Sequence, residues 1–195
     1  MRLHDSGAHE SCASTSNHDS GSPASVTRTS CTINGTITAP VSNQVISDFN
    51  HAYDQYEDIE CTGTLNTAYT NETVTLSPGV YCNDAGVTFT DSTLILDGHG
   101  DANATWIFKI GTLGTGALTG TNFTVMTTNR ADNPCNVTWW VADAVTMTTS
   151  GFKGTILSGA AITMTGLAGS LTPFHGNALA KSAVTLTSVT VTGCD

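Results

Sequence analysis

One stretch limits the fold more than any other, because the chain writes it three times. Ala144-Val-Thr-Met-Thr148 leads into Phe152-Lys-Gly-Thr-Ile-Leu157, and Ala161-Ile-Thr-Met-Thr165 repeats the first half 17 residues later. Phe174-His-Gly-Asn-Ala-Leu179 echoes the second half, and Ala183-Val-Thr-Leu-Thr187 closes the third round. Each round holds a Thr-x-Thr pair: Thr146/Thr148, Thr163/Thr165 and Thr185/Thr187. Alternate side chains of a strand face opposite ways, so both threonines of a pair share one side and the apolar residues take the other. Repeats of roughly 20 residues with one strand signature each predict a chain that coils and stacks on itself. Stacking aligns the threonines into a flat, uncharged grid, the leading candidate for the working surface, with Thr190 and Thr192 as outlying members. The intervals are unequal, 17 and then 22 residues, so the grid requires the three rounds to stack in register.

Composition supports the strands. Only 11% of the residues are charged, against about 25% in an ordinary domain. Threonine fills the gap, β-branched residues favour strands, and 19 glycines punctuate them. A chain of 195 residues is read as one domain. The net charge of −10 arises from 6 Lys+Arg against 16 Asp+Glu. Without a basic patch, nucleic acid and anionic membrane are excluded as partners, and no apolar run is long enough to span a bilayer.

The six cysteines, Cys12, Cys31, Cys61, Cys82, Cys135 and Cys194, are even in number and contain no CxxC, which disfavours zinc and thioredoxin-like sites. They are read as disulfide cysteines whose pairing the sequence leaves open. Sequons at Asn34, Asn71, Asn103, Asn122 and Asn136 point the same way, to an oxidising, extracellular or cell-surface location. Met1-Arg-Leu-His-Asp-Ser6 shows no apolar signal-peptide core.

Residues 1–30 are Ser-, His-, Asp- and Gly-rich and read as a disordered polar leader. His4, Asp5, His9, Glu10, Cys12, His18 and Asp19 fit no metal-ligand spacing, and neither a metal nor a cofactor is expected. Residues 31–195 form the domain, beginning with a short strand and turn over Cys31–Thr38. A helix is predicted at about 41–57, introduced by Pro40. Its apolar stripe of Val41, Val45, Ile46, Phe49, Ala52, Tyr53 and Tyr56 is read as packing against a sheet. Alternating runs follow, among them Val74–Tyr81, Val87-Thr-Phe-Thr90, Phe123–Met126 and Val137-Thr-Trp-Trp-Val141. The denser Thr93–Gly98 and Thr105–Ile110 are read as strands buried between helix and coil. Gly98, Gly100, Gly111, Gly114, Gly116, Gly151, Gly154, Gly166 and Gly169 fall between runs, where corners need φ > 0.

Four segments carry a family resemblance. They are Leu76-Ser-Pro-Gly-Val-Tyr81, Leu96-Asp-Gly-His-Gly-Asp-Ala-Asn-Ala-Thr-Trp-Ile-Phe108, Asn136-Val-Thr-Trp-Trp-Val141, and Phe152–Leu157 with Gly176-Asn-Ala-Leu-Ala180. In order and spacing, over residues 31–194, the chain resembles the ice-binding proteins built as a discontinuous β-solenoid with a long helix alongside. The resemblance implies a mainly β fold, an irregular right-handed β-solenoid (β-helix) with one long α-helix packed beside it. Two departures stand out. Residues 1–30 show no match to the strands that usually precede the helix, which implies an uncovered solenoid edge open to self-association. Asn177 also stands where the family usually has arginine.

The function expected is adsorption to ice, or to an ordered water surface, through Thr146, Thr148, Thr163, Thr165, Thr185 and Thr187. The alternative is a non-enzymatic adhesin or coat module with the same fold, binding a cell-surface glycan. An enzyme is not expected. Asp97, Asp101 and Asp143 are the carboxylates in suggestive settings, and Asp97-Gly-His-Gly-Asp101 faintly resembles a calcium loop but reads as a corner turn. No nucleophile arrangement around His99 or His175 is visible in the sequence.

Overall fold

The computed structural model describes residues 42–131, 133–167 and 172–193, together with the backbone of strands β1 (Cys12–Asn17) and β2 (Val26–Thr29). Helix α1 spans Asn43–Glu57 and is capped by Ser42, whose Oγ accepts the Val45 N–H at 3.3 Å. Pro40 and Val41 lie outside the described residues. The far end of the helix is finished from the sheet. Lys109 Nζ donates to Glu57 O at 2.6 Å and to Ile59 O at 2.5 Å, filling carbonyls that a helix terminus leaves open. Burial lowers the Lys109 pKa, while the charges of Glu57 and Asp58 pull it back up.

Beyond the helix the chain winds through six rungs, each visiting three sheets in the same order. The first is β3 (Gly63–Thr64), β4 (Ala68–Thr70) and β5 (Thr73–Leu76); the second is β6 (Gly79–Asn83), β7 (Val87–Thr90) and β8 (Thr93–Asp97). The third is β9 (Trp106–Ile110), β10 (Leu118–Thr121) and β11 (Thr124–Thr128), and the fourth β12 (Val137–Val141), β13 (Val145–Thr148) and β14 (Phe152–Lys153). The fifth is β15 (Thr155–Ser158), β16 (Ile162–Thr165) and β17 (Thr172–His175). The last is β18 (Ala178–Ala180) and the long β19 (Ala183–Thr192), which turns a corner and serves two sheets. Rungs stack in parallel. One sheet runs β3-β6-β9-β12-β15-β18, a second β4-β7-β10-β13-β16-β19, and a third β5-β8-β11, continued by a bridge from Thr124 to Gly151 and by β14-β17-β19.

Aromatic side chains stack along the axis inside the coil. Tyr69 lies 4.7 Å from Phe89, Phe89 4.2 Å from Phe123, and Phe108 4.0 Å from Trp139, with Trp139 continuing to Phe152 at 4.9 Å. The middle of the first sheet is buried on both faces because α1 covers its outer side there. Trp139 points into the coil and Trp140 out against the helix, so all five residues of β12 are buried. Trp140 Nε1 donates to Tyr53 O at 3.0 Å, and the Tyr53 hydroxyl donates to Val141 O at 3.1 Å. The predicted stripe packs as expected through Phe49, Tyr53 and Tyr56, but Val45 is exposed.

Three expectations need correction. Strands β1 and β2 fall inside the segment read as a disordered leader. β1 pairs antiparallel with β19 (Thr15 opposite Thr185, Asn17 opposite Ala183) and β2 pairs with β1, so this edge of the last rung is covered by the chain's own N-terminal part. The dense run Thr93–Gly98 is not under the helix. β8 belongs to the third sheet, where Leu94 and Leu96 point inward and Ile95 is only half-buried. The corners do not all fall to glycine either. Where the first four rungs and the last leave the second sheet for the third, positive φ is held by Asn71, Asp91, Asn122, Thr149 and Ser188. The strand Cys31–Thr38 lies outside the described residues.

Thr149 is the costly member of that corner, since a β-branched residue at φ 50° crowds its own backbone. Thr149→Asn is expected to raise unfolding free energy by about 1 kcal/mol, read from denaturant titration. A second expectation concerns pH. Burial, reinforced by Glu57, Asp143 and Asp54, pushes the Tyr53 hydroxyl from 10.0 to about 12. The folded state therefore keeps a proton that the unfolded chain has released, a contribution complete below pH 10.0 and lost as pH rises through about 12. Stability is expected to fall across that window, and less steeply in Tyr53→Phe.

Candidate functional site

The second sheet carries the threonine grid. Thr146 pairs with Thr163 and Thr163 with Thr185, while Thr148 pairs with Thr165 and Thr165 with Thr187. The three rounds therefore stack in register despite their unequal spacing. The extra residues of the longer interval are absorbed after β16, where the chain leaves the sheet for β17. All six predicted threonines are exposed or half-buried, over a buried layer of Val145, Met147, Ile162, Met164, Val184 and Leu186.

The grid is larger than the three rounds. Thr119 pairs with Thr146 and Thr88, and Thr121 with Thr148 and Thr90. In the first rung Ala68 pairs with Thr88 and Thr70 with Thr90. Two columns result: Ala68, Thr88, Thr119, Thr146, Thr163 and Thr185; and Thr70, Thr90, Thr121, Thr148, Thr165 and Thr187. Within a rung the columns lie roughly 7 Å apart, and rungs follow at about 4.8 Å. The missed members carried the same Thr-x-Thr signal, in Val87-Thr-Phe-Thr90 and Leu118-Thr-Gly-Thr121. Thr190 and Thr192 do not join the grid. They lie past the Ser188 corner, opposite Pro173 and His175 in the third sheet.

The grid positions hold no charge. Asp84 and Asp143 sit exposed where the chain enters this sheet, and Asp91 where it leaves. Asn122 Nδ2 donates to Asp91 Oδ1 at 2.7 Å, tying the corners of neighbouring rungs.

One polar constellation escaped the sequence reading. Ser77 Oγ lies 2.8 Å from His99 Nε2, and His99 Nδ1 lies 3.6 Å from Asp97 Oδ1. The order Ser–His–Asp is that of a hydrolytic triad, contrary to the expectation that His99 has no such neighbour. The third link falls short, since 3.6 Å exceeds hydrogen-bond reach. Asp97 Oδ1 instead accepts the His99 and Asn129 N–H groups, each at 2.8 Å, which lower its pKa. The imidazole is 59% exposed and is held at Nε2 by Ser77, without the buried carboxylate that orients Nδ1 in a triad. His175 stands beside Lys153, and burial followed by that charge lowers its pKa.

Cys61 and Cys82 form a disulfide across 21 residues, joining the approach to β3 to the second rung, and Cys135 is disulfide-bonded too. Cys31 and Cys194 lie outside the described residues, and only the backbone of Cys12 is described. Asn177 Nδ2 reaches Thr155 Oγ1 at 3.3 Å, while its Oδ1 is buried without a hydrogen-bond partner.

The ice-binding-like family model matches residues 6–192. The chain belongs to the ice-binding protein family. The match begins inside the segment read as a leader without family strands, in keeping with the ordered pairing of β1 and β2. Among solved structures, the ice-binding protein of the Antarctic ascomycete Antarctomyces psychrotrophicus is 31% identical, with a TM-score of 0.66 over 76% of this chain and 70% of that one. An ice-binding protein from an Antarctic bacterium of the Flavobacteriaceae is 32% identical, with a TM-score of 0.59 over 75% of this chain and 31% of that chain. An Arctic yeast ice-binding protein with antifreeze activity is 25% identical, with a TM-score of 0.65 over 78% of this chain and 62% of that one. The chain thus spans between about a third and 70% of these relatives. No curated protein sequence matches. Family and structural neighbours support an ice-binding function.

Replacing Cys61 and Cys82 by serine opens a loop whose closure is worth about 3 kcal/mol. The double variant is expected to lose up to that much in thermal or denaturant unfolding.

Proposed function

We propose that this protein adsorbs to ice through the two-column face of the second sheet, as a non-enzymatic antifreeze or recrystallisation-inhibiting protein acting outside the cell. The register of the threonine columns carries this reading. Each threonine offers a methyl and a hydroxyl group at a repeat of about 4.8 by 7 Å. Such a surface holds water in a lattice that can merge with an ice plane, and no grid charge pulls that water into a competing shell. Threonine also loses little freedom on adsorption, because χ1 is already restricted. The aromatic ladder and the rung hydrogen bonds keep the face rigid.

Thermal hysteresis and crystal shape test the reading. The wild-type domain is expected to hold a freezing gap and facet the crystals, whereas unshaped growth at high concentration sinks it. Thr163→Tyr, in the fifth rung, and Thr119→Tyr, in the third, are each expected to remove most of the activity with unchanged circular dichroism. Thr192→Tyr, on the third sheet, is expected to leave it intact. If the grid variants lose glycan or cell-surface binding and ice growth is indifferent to all three, the face is an adhesin surface.

A further inference from the structure

The described sequons divide between two corners of the coil. Asn71 and Asn122 both follow directly on grid threonines, Thr70 and Thr121, and hold the positive-φ corner between the second and third sheets. Asn103 and Asn136 lie where the chain passes from the third sheet to the first, before β9 and β12. In a three-sided coil that corner is opposite the threonine face. The two members there differ. Asn136 is half-buried, its Nδ2 donates to Ala102 O at 3.2 Å, and its sequon hydroxyl, Thr138, is buried beneath the helix and donates to Tyr56. Asn103 is exposed, and so is its sequon partner Thr105. The Asn103 backbone N–H is held by Asp101 Oδ1 at 2.8 Å in a surface turn.

We propose that Asn103 is an N-glycan acceptor and that a hydrated sugar there sits on the corner opposite the threonine face, whereas the equally exposed sequons of Asn71 and Asn122 place a sugar at its rim. The second half of this rests on the ice reading above; the first does not. The disulfide Cys61–Cys82 and the bonded Cys135 are at home in the oxidising compartment where such transfer occurs. There the Asn103 amide nitrogen bonds to C1 of the first N-acetylglucosamine of a lipid-linked oligosaccharide. The lipid pyrophosphate departs, and the displaced amide proton passes to the transferase base. A glycan is bulky and hydrated. At Asn103 it projects away from the grid, whereas at Asn71 or Asn122 it stands at the rim and holds the face off a flat crystal.

The test uses the full chain secreted from a glycosylating yeast, with sites mapped by enzymatic deglycosylation in heavy-oxygen water and mass spectrometry. Asn103 is expected to be converted, and thermal hysteresis to be the same before and after sugar removal in a variant keeping only that sequon. A variant keeping only Asn122, with the other sequons changed Asn→Gln, is expected to lose activity when glycosylated and regain it on deglycosylation. An unmodified Asn103, or full activity with a sugar on Asn122, overturns the proposal. If even sugar-free protein leaves ice growth untouched, the ice reading fails, while the occupancy of Asn103 is still decided by mass.

Discussion

The structure depends on rung-to-rung register in the second sheet. Its inward positions form continuous apolar columns, among them Val87, Leu118, Val145, Ile162 and Val184, all buried. A slip of one residue at the second, fourth, fifth or sixth rung would turn two threonines into the core and two large apolar side chains into water. Burial of the inner columns thus aligns the outer ones. Nothing need select the alignment of the threonines directly, because hydrogen bonds between rungs and the hydrophobic effect within the coil already impose it. At Gly120 the inner column lacks a side chain, and a Cβ there would come within 2.5 Å of Met147 Sδ. The sulfur side chain from the next rung occupies that space, so the floor beneath Thr119 and Thr121 stays filled.

The three faces divide the remaining work. The first sheet is closed by α1, with Trp140, Leu157 and Tyr53 between them and Lys109 finishing the helix from below. Lys181 lies 3.8 Å over the Tyr53 ring and adds a cation–π contact at the same seam. Over this part of the face the outer residues are spent on holding the helix. The third sheet is mixed: Thr73, Thr93 and Thr124 align in one column, but the next column runs Thr75, Ile95 and Met126. Only the second sheet repeats one uncharged residue type in both outward columns.

The fold was legible because three signals agreed: period-two alternation, glycine between runs, and a single helical stripe. The threonine repeats of the last three rungs were legible too, but their register was not, because the sequence spaces them unequally and only the stacking brings them into line. The earlier rungs were harder to see. Leu118-Thr-Gly-Thr121 replaces the inner apolar residue by glycine, and Ala68 replaces the outer threonine, so pattern matching loses both while stacking recovers them. The corner residues were misjudged for a physical reason. Asn and Asp tolerate positive φ well enough to share the role assigned to glycine, and the hydrogen-bonded ladder at that corner imposes the same conformation on Thr149, whose N–H donates to Thr165 O. Likewise Ser77 and His99 are 22 positions apart, and only the stacking of one rung on the next brings them together.

A flat, rigid, uncharged sheet face invites self-association as readily as it invites ice, and the placement of charge answers that hazard. The chain carries a net charge of −10, yet the grid itself is neutral, with Asp84, Asp91 and Asp143 at its borders. Two copies brought face to face would oppose these like charges around the rim, where water is displaced last. An ice surface presents no such fixed charge. The edge of the last rung is treated differently in this sheet: β1 covers β19 in the antiparallel sense, so this stretch offers no free parallel edge to another strand.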